Sequence, residues 1–101
     1  MAQLNIGFTL EAYADIDQAF YSYAGLAEGR VAARFLRNID EGLERISSFP
    51  HSCPMDLDGI RRLLLRRFPY WVYYRVLPDA IEVMAVLHTK RDTSQIDWDA
   101  E

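Results

Sequence analysis

One segment decides the fold of this 101-residue chain: residues 59–92, which read GIRRLLLRRFPYWVYYRVLPDAIEVMAVLHTKRD. Apolar and aromatic residues fill three runs, 60–67, 71–77 and 80–88, and turn-forming residues separate them. Pro69 lies in the first connection. Pro78 and Asp79 lie in the second, where proline pre-sets the backbone for a tight turn. Because both connections are short, the segment predicts three antiparallel strands in chain order.

Alternation along these runs predicts which side chains share a face of the sheet. In the second run, Val72, Tyr74 and Val76 alternate with Trp71, Tyr73 and Arg75. The third run alternates in the same way between two sets: Ile81, Val83, Ala85 and Leu87, and Glu82, Met84, Val86 and His88. One face must meet the helices, and the other is partly exposed, meets a partner or packs as well. The aromatic residues here could also stack nucleic-acid bases. They are Phe68, Tyr70, Trp71, Tyr73 and Tyr74.

The N-terminal half predicts a strand and two helices. Residues 3–9 alternate as a half-buried strand, and Thr9 then begins a helix that ends at Gly25. The apolar stripe of this helix contains Tyr13, Ile16, Phe20 and Tyr23. A second helix spans 28–49, and Pro50 opens a loop over 50–59. Its stripe contains Val31, Phe35, Ile39, Leu43 and Ile46, which we expect to pack on the face with Val72, Tyr74 and Val76.

Together these elements predict one α+β domain over residues 1–101. An N-terminal strand and an antiparallel two-helix hairpin pack on an antiparallel sheet of about four strands. Half of the residues are hydrophobic and 26% are charged, as in an ordinary globular protein. No apolar run is long enough to span a bilayer, and the N-terminus does not resemble a signal peptide. A single cysteine, Cys53, excludes an internal disulfide, so we expect a cytoplasmic protein.

The charge of the chain is unevenly distributed. Residues 59–91 contain seven basic residues and two acidic ones, a balance of +5, although the whole chain carries −4 and the remainder therefore −9. A basic sheet on an acidic protein predicts a surface that meets an anion, either nucleic acid or an acidic partner segment. The alternative is a solvated face whose arginines lie over apolar neighbours.

The best candidate for a polar site is His88 with Lys90 and Arg91 at the end of the last strand. An imidazole and two cations could bind a phosphate or transfer a proton. A hydrogen-bonded histidine beside solvated cations is the alternative. His51 and Cys53 are too few to predict a metal site, and no base is placed to activate Cys53. The sequence predicts no metal and no cofactor.

The motifs in this order resemble the RelE/ParE superfamily, the small toxins of type II toxin–antitoxin systems. The resemblance covers nearly the whole chain. It is carried by Gly59 to Arg62 after the strand and two helices, by "Phe-Pro-Tyr-x-Val-Tyr-Tyr-Arg-Val" at Phe68 to Val76, and by "Val-Leu-His-x-x-Arg-Asp" at Val86 to Asp92.

The resemblance implies different activities in the two branches. RelE-like members cut mRNA on the ribosome with strand-borne basic residues and often a C-terminal tyrosine. In this chain one of those arginines aligns with Trp71 and a second with or near Thr89, and no tyrosine follows Tyr74. ParE-like members bind DNA gyrase and trap its cleaved-DNA complex, and the histidine and Arg-Asp pair that close the last strand resemble that branch.

We therefore expect a plasmid-stabilisation-type toxin that inhibits DNA gyrase by binding, without being an enzyme. A cognate antitoxin is expected to neutralise it, and the expected assembly is a toxin–antitoxin hetero-oligomer. The alternatives are a ribosome-dependent mRNA endoribonuclease, for which His88, Lys90 and Arg91 are the catalytic candidates, and a non-toxic interaction module. The expected partner-binding residues are Arg61, Arg62, Arg66, Arg67, Trp71 and Arg75.

Overall fold

A computed structural model of the chain describes residues 4–56 and 58–98. The elements are strand β1 (Asn5–Phe8), helix α1 (Leu10–Ala24), helix α2 (Arg30–Ser48), and strands β2 (Arg61–Leu64), β3 (Tyr70–Val76) and β4 (Ala80–His88). The α+β prediction is confirmed, and β1 and β2 are shorter than expected. Residue 3 of the predicted first strand and residue 57 of the predicted loop lie outside the described residues.

The four strands form one sheet in the order β1-β4-β3-β2. β2 pairs with β3 and β3 with β4 in the predicted antiparallel sense, and a hydrogen bond from the Leu77 N–H to the Ala80 oxygen (2.8 Å) closes the expected hairpin. β1 differs, because it pairs with β4 in parallel, with Asn5 opposite Ala80 and Phe8 opposite Val83. The expectation of a wholly antiparallel sheet was therefore wrong. The chain passes through α1, α2, β2 and β3 between β1 and β4, and after these elements β4 runs in the same direction as β1.

Thr9 joins β1 to α1 and begins the helix as predicted. Its Oγ1 accepts the Ala12 N–H at 3.1 Å and donates to the Met84 oxygen at 3.0 Å. One hydroxyl therefore caps α1 and satisfies a carbonyl of β4. Gly25 ends α1, as expected.

The connection between the helices explains why α2 begins two residues later than predicted. Ala27, Glu28 and Gly29 all have positive φ angles, 49°, 56° and 85°. This left-handed turn suits glycine at its last position and places Glu28 outside the helix.

The helices cover one face of the sheet, and the main core lies between the helices and this face. Phe35, Ile39 and Ile46 pack with Val72 and Tyr74 as predicted, and Leu43 and Val76 lie at the partly buried margin of this core. In α1 the prediction was wrong for Tyr13, which is exposed, while the small residues Ala12 and Ala19 are buried.

β4 does not alternate along its whole length, because it contains a β-bulge. Tyr73 pairs with Ala85 and Tyr74 with Val83, so Met84 has no partner in β3. Beyond the bulge the faces are exchanged: Val86 joins the helix-covered core, and Met84, Ala85 and Leu87 lie on the second face. The predicted faces of Ala85, Val86 and Leu87 were therefore wrong.

The second face of the sheet is covered by the end of the chain. Ile96 and Trp98 pack on a cluster that contains Ile60, Tyr73 and Leu87, and the rings of Trp98 and Tyr73 are 5.0 Å apart. For this face the sequence left open partial exposure, contact with a partner, or packing. Tyr73 is packed and buried, whereas Trp71 is half-buried.

Candidate functional site

The predicted polar site lies in a tight turn that closes β4. The Arg91 N–H donates to the His88 oxygen at 2.9 Å, and the Lys90 N–H donates to His88 Nδ1 at 3.1 Å. The rings of His88 and Tyr70 form a T-shaped contact, with centroids 5.3 Å apart and an interplanar angle of 76°. One imidazole nitrogen is therefore already engaged by the backbone of the turn.

A hollow of about 240 Å³ lies beside this turn, between α1 and the ends of β3 and β4. His88 and Arg91 both line it, whereas Lys90 is not among its lining residues. The structure thus brings together two of the three catalytic candidates. The other polar groups of the hollow are Asp15, Gln18, Ser22 and Tyr70.

Asp15 is the acidic residue of this hollow, and the sequence analysis did not single it out as functional. Its Oδ2 accepts the Val86 N–H at 3.0 Å, and so it supplies an acceptor to β4 beyond the end of β1. Burial raises the pKa of Asp15 above its usual value, although the hydrogen bond from Val86 and the nearby Arg91 charge act in the opposite direction. A partly buried carboxylate therefore lies in the hollow that His88 and Arg91 share.

Tyr70 is held in its neutral form. Burial and the neighbouring Tyr23 hydroxyl raise the pKa of Tyr70 to about 12. A tyrosine with that pKa is protonated at neutral pH, so it can donate a hydrogen bond but cannot act as a base.

Two of the expected partner-binding arginines are engaged within the domain. Arg61 Nη1 donates to the carbonyl oxygens of Cys53 (2.6 Å) and His51 (3.3 Å), and so fixes the loop before β2. Arg75 forms an ion pair with Glu82 across β3 and β4, at 3.1 Å. The Tyr74 hydroxyl also holds the loop before β2, because it donates to the Pro50 oxygen at 3.0 Å. Burial raises the pKa of Tyr74.

Arg62 and Trp71 lie together on the second face of the sheet. The Arg62 guanidinium carbon is 4.0 Å from the centroid of the Trp71 ring, which is cation–π geometry. Both line a hollow of about 510 Å³ that is also bordered by Met55, Ile60, Tyr73 and Trp98.

Arg66 and Arg67 lie in the turn between β2 and β3, where both side chains are exposed. The Arg67 N–H donates to Oδ1 of the buried Asn38 at 3.1 Å, which ties this turn to α2. Arg66 lines a hollow of about 310 Å³ beside Glu41, Glu44 and Phe49 of α2 and its end. The six partner-binding residues are therefore divided between the second face, the β2–β3 turn and internal contacts, and their role stays a prediction.

The described residues 4–56 and 58–98 contain no cluster of three or more His, Cys, Asp or Glu side chains that could share a metal ion. No helix in that part of the chain is long and apolar enough to cross a membrane.

Comparison with known proteins places the chain. The family described as ParE toxin of type II toxin–antitoxin system, parDE, matches residues 6–93, which is most of the chain. The chain belongs to this family. It is thus a ParE-family toxin of the type II toxin–antitoxin class, which confirms the resemblance to the RelE/ParE superfamily.

A curated relative agrees with this assignment, and two solved structures share the fold. Toxin ParE2 of Mycobacterium tuberculosis is 28% identical over 83 residues, which are 82% of this chain and 79% of the relative. A chain of the chromosomal ParDE system from P. aeruginosa has the same fold, with a TM-score of 0.73 at 22% identity over 85% of this chain and 96% of that one. The RelBE2 toxin–antitoxin complex of M. tuberculosis is less similar, with a TM-score of 0.56 at 20% identity over 85% of this chain and 98% of that one.

Proposed function

We propose that this ParE-family chain inhibits growth by binding DNA gyrase, that it is not an RNA-cleaving enzyme, and that a cognate antitoxin neutralises it. The family match and the antitoxin complexes of its structural neighbours support the toxin role. The composition of the hollow at the end of β4 supports the choice of a binding mechanism over a catalytic one.

The observation that carries this choice is the position of Asp15. Cleavage of an RNA phosphodiester requires donors and cations aimed at the charge that develops on the phosphate. In this hollow a phosphate would meet the Asp15 carboxylate, with Arg91 as the cation among the lining residues. Lys90 is not among them, and Tyr70, with a pKa of about 12, cannot act as a base. This composition, with one carboxylate and one arginine beside His88, supports a binding role over phosphoryl transfer.

The test compares two target processes with one purified protein. The wild-type protein is expected to inhibit supercoiling by DNA gyrase in vitro, and its expression to cause DNA breaks and filamentation while translation continues. His88→Ala is expected to change this inhibition less than about 3-fold, because no proton transfer depends on it.

The ribosome-dependent nuclease makes the opposite prediction. Translation would stop first, mRNA would be cut at codon positions on ribosomes, and His88→Ala would lose about 10²–10⁴ in rate, the usual contribution of a general acid or base. Cleavage of this kind with gyrase unaffected would overturn the proposed mechanism.

The antitoxin is expected to contact the exposed part of the basic set. Arg62, Arg66 and Arg67 are exposed, whereas Arg61 and Arg75 are already bonded within the domain. Acidic residues of an antitoxin would therefore meet the first three. We expect the antitoxin to be encoded by a gene next to that of the toxin. Replacing both Arg66 and Arg67 by Glu should weaken co-purification with the product of that neighbouring gene at least about 10-fold, because charge reversal creates repulsion. Arg37→Glu, at an exposed site on α2, is the matched control.

A protein that binds this neighbour and yet leaves both gyrase and translation unaffected would be the non-toxic interaction module. Equal antitoxin binding by the double Glu variant and the wild type would move the antitoxin surface elsewhere.

A further inference from the structure

The N-terminal part of the chain is acidic, whereas the sheet segment is basic. The first 29 residues contain Glu11, Asp15, Asp17 and Glu28, and they contain no Lys or Arg. Three of these carboxylates are on α1, and none of the three forms an ion pair with any residue of 4–56 and 58–98. Asp15 faces β4, where its Oδ2 accepts the Val86 N–H, so Glu11 and Asp17 are the two exposed carboxylates of this helix.

The same helix exposes large apolar side chains on its outer face. Leu10, Tyr13 and Tyr21 are 82%, 54% and 73% exposed. Asp17 lies four residues after Tyr13 and four before Tyr21, so these residues follow one side of the helix. The ring of Tyr13 is 5.1 Å from that of Phe8, which extends the apolar surface onto β1. A group of exposed apolar residues bordered by polar ones marks an interaction surface.

The charge of this surface selects its partner. Carboxylates around apolar anchors repel nucleic acid and acidic segments, and they complement a basic protein surface. A protein that binds DNA must display such a surface, because Lys and Arg side chains neutralise the phosphates. DNA gyrase, the target proposed above, acts on DNA and therefore has one.

We propose that the outer face of α1, formed by Leu10, Tyr13, Asp17 and Tyr21 with Glu11 at its edge, is the target-binding surface of this toxin, and that it docks on a basic, DNA-binding surface of the target protein. This inference rests on the proposed function and specifies which side of the toxin performs it. α1 packs over β4 and beside β1, whereas the exposed arginines expected to meet the antitoxin lie on and after β2, at the opposite edge of the sheet. The two partners are therefore assigned to separate surfaces of opposite charge.

The experiment uses purified full-length toxin, purified DNA gyrase without DNA for binding, and gyrase with plasmid for supercoiling. One variant combines Leu10→Ser with Tyr21→Ser and removes the apolar anchors. A second combines Glu11→Lys with Asp17→Lys and reverses the charge. Each is expected to weaken gyrase binding and inhibition at least about 10-fold, the range of interface hot spots. Leu77→Ser in the β3–β4 turn and Glu44→Lys on α2 are matched controls at exposed sites, expected to change both by less than about 2-fold.

Salt dependence and antitoxin binding distinguish docking from misfolding. Wild-type binding to gyrase should weaken when salt is raised from about 0.05 M to about 0.2 M, because screening reduces the attraction between the charged surfaces. Both α1 variants should keep the circular dichroism spectrum and the antitoxin affinity of the wild type.

The outcomes separate the two proposals. Inhibition by the wild type together with equal inhibition by both variants would overturn the assignment of α1 and leave the proposed function intact. Wild-type protein that neither binds nor inhibits gyrase would overturn both. Loss of gyrase binding in the Leu77→Ser control as well would also refute a surface confined to α1.

Discussion

The two faces of the sheet are covered in different ways. α1 and α2 cover one face, where Phe35, Tyr74, Val72 and Val83 are fully buried. The segment after β4 covers the other face through two side chains, Ile96 and Trp98. The first face is thus a core between regular elements, and the second is an apolar surface under a short irregular segment.

The hollows of the domain follow this difference. Trp98 borders the hollow of about 510 Å³ beside Arg62 and Trp71, and it also borders a hollow of about 340 Å³ beside Thr9 and Glu11. Trp98 therefore lies on the second face between two hollows. Dense packing contributes stability through many close contacts, so we expect the first face to provide most of the stability of the domain.

The largest expected effect tests the helix-covered face. Phe35 is fully buried, and its ring lies within 5.4–5.6 Å of the rings of Phe68, Tyr70 and Tyr23. Phe35→Ala should lower the free energy of unfolding by about 3–5 kcal/mol, because it removes apolar contacts and leaves a cavity. Urea unfolding followed by circular dichroism measures the loss. Leu36→Ala, at the exposed neighbouring position, should cost less than about 1 kcal/mol.

The sequence predicted this face well because large apolar residues at helical spacing are a strong signal. It was less accurate about which helix residues lie closest to the sheet. In α2 the buried line also contains two small residues, Ala32 before Phe35 and Gly42 between Ile39 and Ile46. A Cβ atom on Gly42 would lie 2.9 Å from a Leu65 methyl carbon, so the helix approaches the sheet at a residue without a side chain. A stripe chosen by hydrophobicity overlooks such residues.

The second face was harder to predict, for two physical reasons. The bulge at Met84 shifts the alternation of β4 by one residue, and no residue type in this run identifies the extra residue. The cover formed by Ile96 and Trp98 has no periodic pattern, because it is neither helix nor strand. A tryptophan and an isoleucine in an otherwise polar segment were the available signal.

The candidate site was predicted in part for the same reason. His88 and Arg91 follow directly from the end of β4, and both line one hollow. Tyr70 reaches that hollow because β3 pairs with β4 and places Tyr70 opposite His88. Asp15 reaches it from α1, distant in sequence, and only the packing of α1 on β4 brings it there. Local pattern can identify residues at the end of one strand, but it cannot place residues from other elements beside them.

A smaller effect is expected on the second face. Trp98→Ala should lower the free energy of unfolding by about 1–2 kcal/mol, because the indole is half-exposed at the end of the chain and packs mainly on Tyr73. The same urea experiment measures it. Gln95→Ala, exposed in the same segment, is the control and should change stability by less than about 0.5 kcal/mol. A loss equal to that of Phe35→Ala would show that both faces contribute equally.

The smallest effect concerns the edge of β4 beyond the end of β1, where Asp15 accepts the Val86 N–H. Because burial raises its pKa, Asp15 binds a proton more tightly in the folded chain than in the unfolded chain, where the ordinary value is 3.8. In the range just above that value the folded state therefore holds more protons, and the contribution of Asp15 to stability falls as pH rises. Asp15→Asn keeps an acceptor for Val86 without the charge, so it should remove this slope and leave stability at neutral pH equal or slightly higher.

Urea midpoints measured from about pH 4 to about pH 7 test this, and Asp15→Ala is the matched comparison. That variant should also lose the slope but be less stable than Asp15→Asn at every pH, because the Val86 N–H then has no side-chain acceptor. Equal stability of the Asn and Ala variants would mean that the hydrogen bond does not hold α1 against this edge, and that side-chain packing keeps the helix on the sheet.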